Sequence, residues 1–378
     1  MSRGPGPSRP GAPDRARRSS SDRRDCAVPH RYRDRSSADE YLLRNLRGMP
    51  KLSRRGLLGA AVCGALLFGT VACGSESSGA PDTAQGSVTV THALGTTTVP
   101  PGVSRIVALG PTGFDVALAL QAPVVGASSS GSESGLSPWT SQAPGAKDVE
   151  VLPVTGEATE VNIEQVAALK PDLIFAPGYF ALQKSYQQLS AIAPTIGYQK
   201  GPAQDTWQEM TTQLATALGR PADAERVIGQ VQTKLDETRA AHPALQGATY
   251  TFGFVQPGAV TALRDPDDAM NSVPAALGLS LSPQILALPK GESFGVQLSS
   301  EQIASLDADA LVLFDGGDAE ALRTLQQNPL YERLPVVQRG AVVTYDYDEF
   351  IGLRNPSPLS IPWIVDRIAP RLSDAVSK

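Results

Sequence analysis

Cysteine, histidine and tryptophan are scarce in this 378-residue chain, at three residues each. The cysteines stand at 26, 63 and 73, so no disulfide can form beyond residue 73. The histidines are His30, His92 and His242. They are too few and too scattered for an imidazole-based zinc or manganese site, and no later thiolate can join them. No metal site of the protein's own is therefore expected. Basic charge is short as well. Of 33 Lys and Arg, 15 fall in the first 72 residues, against 6 of the 38 Asp and Glu, which leaves residues 73–378 with a net charge of −14. Such a surface repels phosphate backbones and argues against a nucleic-acid partner. G-x-S-x-G, G-x-x-x-x-G-K-[ST], H-E-x-x-H and G-x-G-x-x-G are all missing, and no His lies near a plausible nucleophile. No catalytic residue is assigned, and no enzyme is expected.

The first quarter of the chain carries an export pattern. Lys51-Leu-Ser-Arg54-Arg55 is basic, Leu57 to Phe68 is apolar, and Thr70-Val-Ala72 leads into Cys73. The apolar run is too short to stay as a permanent membrane span. The order resembles a bacterial lipoprotein signal, although Thr70 stands where leucine is usual. Arg54-Arg55 followed by Leu57-Leu58 resembles a twin-arginine signal. The expectation is export by the Tat or Sec route, lipidation of Cys73, and a tether to the outer face of the cytoplasmic membrane. Residues 1–48 are rich in Arg, Ser, Pro and Asp and cannot bury enough apolar surface to offset their ordering entropy. They read as a disordered or mis-annotated extension before a start at Met49, with a genuine long n-region left open. Residues 49–72 are then the signal and 73–86 a small, polar, flexible tether.

The remainder divides into an N-terminal lobe (87–203), linking helices (204–243) and a C-terminal lobe (244–378). β-Branched residues around Gly95 predict an opening hairpin. Arg105–Leu109 then reads as a buried strand, Phe114–Leu120 as a helix and Pro123–Gly126 as a strand, the alternation of an α/β domain. Trp207, Met210, Leu214 and Leu218 share one helix face; beyond Gly219-Arg-Pro221, Val227, Ile228, Val231 and Leu235 share another. The second helix is long enough to be a rigid strut. From Ala248 the strand–helix alternation restarts. Glu164-Gln-Val-Ala-Ala-Leu-Lys-Pro-Asp172-Leu-Ile-Phe in the first half is echoed by Glu301-Gln-Ile-Ala-Ser-Leu-Asp-Ala-Asp309-Ala-Leu-Val-Leu-Phe in the second. Each copy predicts a short amphipathic helix and an Asp that opens an apolar strand. The fold expected is α/β: two similar lobes with a central sheet each, joined by a single long helix, with a ligand cleft between.

Several segments together resemble the periplasmic binding-protein family that delivers iron–siderophores, haem or cobalamin to ABC importers. They are Val90–Val99, Ser104–Gly110, Val161–Ile174, Leu189–Thr195, Ala217–Gly219, Asn328–Leu330 and Pro358–Trp363. The resemblance spans about residues 87–374. It implies a monomer with a rigid two-lobe frame, and one surface glutamate per lobe that docks into the permease subunits. By motif these are Glu164 and Glu301. A carboxylate at a helix start is favourable and can remain exposed. A surface sensor lipoprotein on the same fold is a lesser reading, and a lipid-anchored hydrolase is the reading from another class.

Ligand contacts in α/β lobes come from loops at the carboxyl ends of strands. The loops so identified hold Trp139, Tyr179, Phe180, Arg264, Tyr347, Phe350 and Arg354 as candidate ligand residues, with Tyr345 beside them. Aromatic walls and a few fixed polar groups suit a bulky, partly apolar metal chelate. Arginine can give paired hydrogen bonds to chelating oxygens. Two arginines in so acidic a chain favour a neutral or cationic ferric hydroxamate over a catecholate, with cobalamin and haem left open. Iron is expected only inside such a chelate, and no cofactor is expected.

Overall fold

The computed structural model describes residues 86–130, 135–155, 160–289 and 295–378. The export signal, Cys73 and all of the tether but Gly86 lie outside the described residues.

The described residues open on an antiparallel hairpin, β1 (Val88–His92) with β2 (Gly95–Val99). Next come β3 (Ile106–Ala108), β4 (Val124–Ser128) and β5 (Glu150–Leu152), then a short antiparallel ribbon of β6 (Val154–Thr155) and β7 (Glu160–Val161), then β8 (Leu173–Phe175) and β9 (Thr195–Ile196). Five of these form one parallel sheet in the order β5-β4-β3-β8-β9. Helices α1 (Pro111–Ala119), α2 (Pro138–Ser141), α3 (Ile163–Ala168) and α4 (Leu182–Ile192) fill the crossovers. Ile106, Val107 and Ala108 are all buried, as are Leu173, Ile174 and Phe175. Strands covered on both faces read as unbroken apolar runs, which is why they were visible in the sequence.

Two helices follow, α5 (Trp207–Ala217) and α6 (Pro221–Ala241). Thr206 and Glu209 cap α5 reciprocally. Gly219, at φ 68°, turns the chain, and Pro221 starts α6 where its missing N–H costs nothing. The 21-residue α6 is about 31 Å long. Its Ala224 and Val227 belong to the core of the first lobe, and its Val231 and Leu235 to the core of the second. Each such buried Val or Leu contributes roughly 1.5–3 kcal/mol. Both ends of the strut are therefore anchored by the same helical stripe.

The second lobe holds β10 (Thr249–Gln256), β11 (Ala259–Leu263), α7 (Ala269–Ala276), β12 (Ser280–Leu281), β13 (Gly295–Leu298), β14 (Ala310–Phe314), α8 (Ala319–Gln326), β15 (Val342–Thr344), α9 (Tyr347–Arg354) and α10 (Ser360–Val376). Its sheet runs β13-β11-β10-β14-β15, with β12 also paired to β10. Unlike the first sheet it is mixed, because β10 and β11 form a hairpin. Pro257-Gly258 makes that turn, with Gly258 at φ 73°, the left-handed conformation the position demands. Ile361, Ile364, Val365, Ile368 and Leu372 of α10 close the core beneath.

The two echoed motifs occupy matching places. Asp172 accepts hydrogen bonds from the Ser104 and Arg105 amides and from Ser104 Oγ. Asp309 accepts from the Thr249 amide and from Thr249 Oγ1. Each aspartate thus clips β8 or β14 to the start of its parallel neighbour, β3 or β10. The second copy differs from expectation in one respect: Ser300–Leu306 is a 3-10 helix, tightened by a capping box between Ser299 and Gln302.

Candidate functional site

Loops from β3, β4 and β8 meet at the carboxyl edge of the first sheet. The Gly110 amide donates to Ser128 Oγ at 2.8 Å. Gly110 has φ +88°, and a Cβ on it would lie 2.4 Å from both the carbonyl carbon and oxygen of Gly178. Only glycine permits that backbone-to-backbone approach. The packing sets the next two side chains on opposite sides. Phe180 points outward and is 46% exposed. Tyr179 turns inward, only 3% exposed, and its hydroxyl accepts from the Val161 amide at 2.9 Å. Burial raises the Tyr179 pKa, so the ring is a neutral strut between the cleft loop and β7.

On the second lobe, Phe350 lies inside an aromatic cluster. It stacks on Phe314 at 4.2 Å and 10°, with Phe252 and Phe254 near 6.2–6.3 Å. Tyr347 is partly buried against the same core, and Tyr345 is buried, its pKa driven far up by desolvation. Arg354 pairs with Asp268 at 3.8 Å, both side chains about 15% exposed (16% and 14%). Arg264 donates to the carbonyls of Leu286 and Leu288, each at 3.0 Å. Because β11 is antiparallel to β10, Arg264 leaves the sheet toward the amino-terminal ends of β10 and β14, away from Asp315 and Tyr345. Its expected place at the carboxyl edge assumed a parallel strand, and the hairpin removes that premise. Of the seven candidates, Trp139, Tyr179 and Phe350 have side chains taken up by packing. Phe180, Tyr347, Arg264 and Arg354 keep surface to offer.

Trp139 leads to residues that sequence reading missed. Its indole N–H donates to Asp115 Oδ2 at 2.8 Å, Thr140 Oγ1 donates to Asp115 Oδ1 at 2.6 Å, and Ser357 Oγ of the second lobe donates to Oδ2 at 2.6 Å. The Trp139 ring packs 5.1 Å from Trp363 and beneath Gly352, so it also crosses between lobes. The available signal was an acid in an apolar run, Phe114-Asp-Val-Ala-Leu118. Burial lifts the Asp115 pKa to about 6, and the bonds from Ser357, Thr140 and Trp139 pull the other way. A folded pKa above the unfolded one gives stability that is complete below about pH 4 and lost as pH rises through about 6. The unfolding free energy of wild type relative to Asp115→Asn should therefore rise by about 2 kcal/mol between about pH 7 and about pH 4. Denaturant melts of both proteins check this; a difference that stays constant with pH would refute it.

Glu164 is exposed in the first turn of α3, whose start is capped by Asn162 accepting from the Glu164 and Gln165 amides. Glu301 is exposed in the first turn of the matching 3-10 helix. His92 is buried, with Nε2 3.0 Å from Thr97 Oγ1, and His242 ends α6. Among the described residues no three His, Cys, Asp or Glu side chains are grouped to hold a metal ion, and no helix is long and apolar enough to cross a membrane.

Residues 106–349 match the profile of a family described as periplasmic binding protein. YhfQ of Bacillus subtilis (strain 168), whose name describes an ABC transporter substrate-binding lipoprotein, is 29% identical over 73% of this chain and 86% of its own. The ferric enterobactin-binding periplasmic protein FepB of Escherichia coli O6:H1 is 28% identical over 69% of this chain and 84% of its own. A solved periplasmic solute binding protein from Mycobacterium smegmatis superposes with a TM-score of 0.64 at 26% identity, covering 77% of this chain and 99% of that one.

Proposed function

The chain belongs to the periplasmic binding protein family, and from that premise we propose that it carries a ferric siderophore between its lobes to an ABC importer. It is a binding component of transport and not an enzyme. FepB, named for a ferric chelate, supports the iron reading through its similarity over most of both chains.

One observation carries the substrate class. Neither arginine expected at the cleft is free: Arg354 is paired with Asp268, and Arg264 leaves from the other edge of the sheet, held by two carbonyls. The surrounding loops hold Asp265, Asp267, Asp268, Asp315, Asp318, Asp346 and Asp348. A triply negative catecholate would have to displace those partners and face that acidity. A neutral or cationic ferric hydroxamate faces neither cost. Phe180, at the rim, offers an apolar surface for the chelate's ligand backbone, with Tyr347 and Arg354 as polar contacts from the other lobe.

Tryptophan fluorescence tests this directly, because the Trp139–Trp363 pair sits where the lobes meet. A panel of ferric hydroxamates, ferric catecholates, haem and cobalamin should quench only with the hydroxamates at micromolar concentration or below. Binding of haem or cobalamin alone would overturn the iron reading; catecholates binding more tightly would overturn the hydroxamate assignment.

Delivery sets the remaining features. Glu164 and Glu301 are the docking carboxylates, one on each lobe, and the protein acts as a monomer tethered outside the cytoplasmic membrane by a diacylglyceryl group on Cys73. The basic–apolar–small–Cys order and the likeness to YhfQ support the anchor. A Cys73→Ser variant should leave the membrane fraction or stay unprocessed; normal processing with full membrane retention would remove the anchor.

A further inference from the structure

We infer that Asp115 is a positioning residue that latches the two lobes together through Ser357 and so sets the width of the cleft. Asp115 lies on α1 of the first lobe and Ser357 in the turn between α9 and α10 of the second, 242 positions apart in sequence, and both are buried. A carboxylate inside a protein is costly unless donors saturate it. Here three donors converge, with no cation among the groups bonded to it. Two of the three tie into the second lobe: Ser357 belongs to it, and Trp139 is wedged against its Gly352 and Trp363. An apolar side chain would fill the same space at lower cost, so the acid is better explained by geometry than by stability.

The geometry has a mechanical consequence. Among the described residues the chain passes from the first lobe to the second through α6, and a helical strut leaves rotation about its own axis weakly restrained. A directional 2.6 Å hydrogen bond between α1 and the turn before α10 supplies a second tie. Ser357 also orders its own turn, accepting from the Leu359 and Ser360 amides at 3.2 and 2.8 Å. Arg354 is three residues upstream, so the latch fixes where this arginine stands relative to the Phe180 loop. The link to ligand release rests on the siderophore reading; the link to lobe geometry does not.

Spin labels placed at Gln187→Cys and Gln326→Cys, one exposed helix site per lobe, report the lobe separation in a full-length chain carrying Cys26→Ser, Cys63→Ser and Cys73→Ser. The reference chain should show one narrow distance distribution. Ser357→Ala and Asp115→Ala should each broaden it, and the double variant should be no broader than either single one, because both break the same contact. Thr140→Val removes a donor to the same carboxylate from within the first lobe and should leave the distance unchanged. Release of ferrioxamine B should speed up about tenfold in the two latch variants, with the association rate altered less than about twofold. Unbroadened distances in both latch variants, or equal broadening by Thr140→Val, would overturn the latch. Should Asp115→Ala not fold, Ser357→Ala against Thr140→Val decides alone. Broadened distances in a protein that binds no ferric chelate would keep the latch and remove the siderophore reading.

Discussion

Gly110→Ala should destabilise the protein by about 3–5 kcal/mol and weaken chelate binding by at least about tenfold in the fraction that folds. Two independent costs add. The backbone at Gly110 has φ +88°, where an L side chain is strained by about 1–2 kcal/mol. The new Cβ would also lie 2.4 Å from two backbone atoms of Gly178, which no rotamer change can relieve. Overpacking of this kind costs typically about 1–3 kcal/mol even where side chains can yield. Relief requires movement of the loop after β8 away from the loop after β3, and that loop carries Phe180 and Tyr179. Gly258→Ala is the matched control: φ is +73°, yet nothing lies within 4 Å of the added carbon. It should show the conformational cost alone. Denaturant unfolding of both variants separates the two contributions; equal losses would show that the Gly110–Gly178 approach carries no energy of its own.

This contact also shows why the architecture was easier to read than the site. Strands β3, β8 and β14 are buried on both faces, and α5 and α6 repeat their apolar residues at helical spacing, so local pattern and tertiary role agree. The Asp172 and Asp309 clips likewise sit where the repeated motif put them. Tyr179 and Phe180 are adjacent in one Gly/Pro loop, and nothing local says which ring faces inward. The choice is made by Gly110, some seventy residues earlier. Trp139 and Phe350 follow the same logic, each claimed by partners remote in sequence, Asp115 with Trp363 and Phe314 with Phe252. Arg264 was displaced by one turn: Pro257-Gly258 is a legible signal for a hairpin, and a hairpin reverses the edge at which the following loop emerges. Asp115 was legible in part, as an acid among apolar neighbours, but its partner Ser357 was not.

If Glu164 and Glu301 dock the permease as proposed, removing both carboxylates should abolish most uptake while leaving the isolated protein almost unchanged. Glu164→Ala and Glu301→Ala each remove an exposed side chain whose carboxylate caps nothing: Asn162 caps α3, and Ser299 with Gln302 caps the 3-10 turn. Folding stability should therefore change by no more than about 0.5 kcal/mol. Chelate affinity should also hold, since both residues start helices on the lobe surface and neither belongs to the loops that carry Phe180 or Arg354. Docking is a different matter. A carboxylate on each lobe meeting a basic site on the permease contributes both to the rate of encounter and to its orientation. Losing one leaves a protein that can still approach from the other lobe, and uptake should fall about three- to tenfold. Losing both removes the orientation, and uptake should fall more than about thirtyfold, with the single variants showing weaker dependence on ionic strength than wild type. Cellular accumulation of a labelled ferric hydroxamate, measured beside in vitro affinity on the same three variants, distinguishes the possibilities. Normal uptake by the double variant would remove the docking role from both glutamates. Lost chelate affinity in either single variant would move that residue from the permease face into the ligand site.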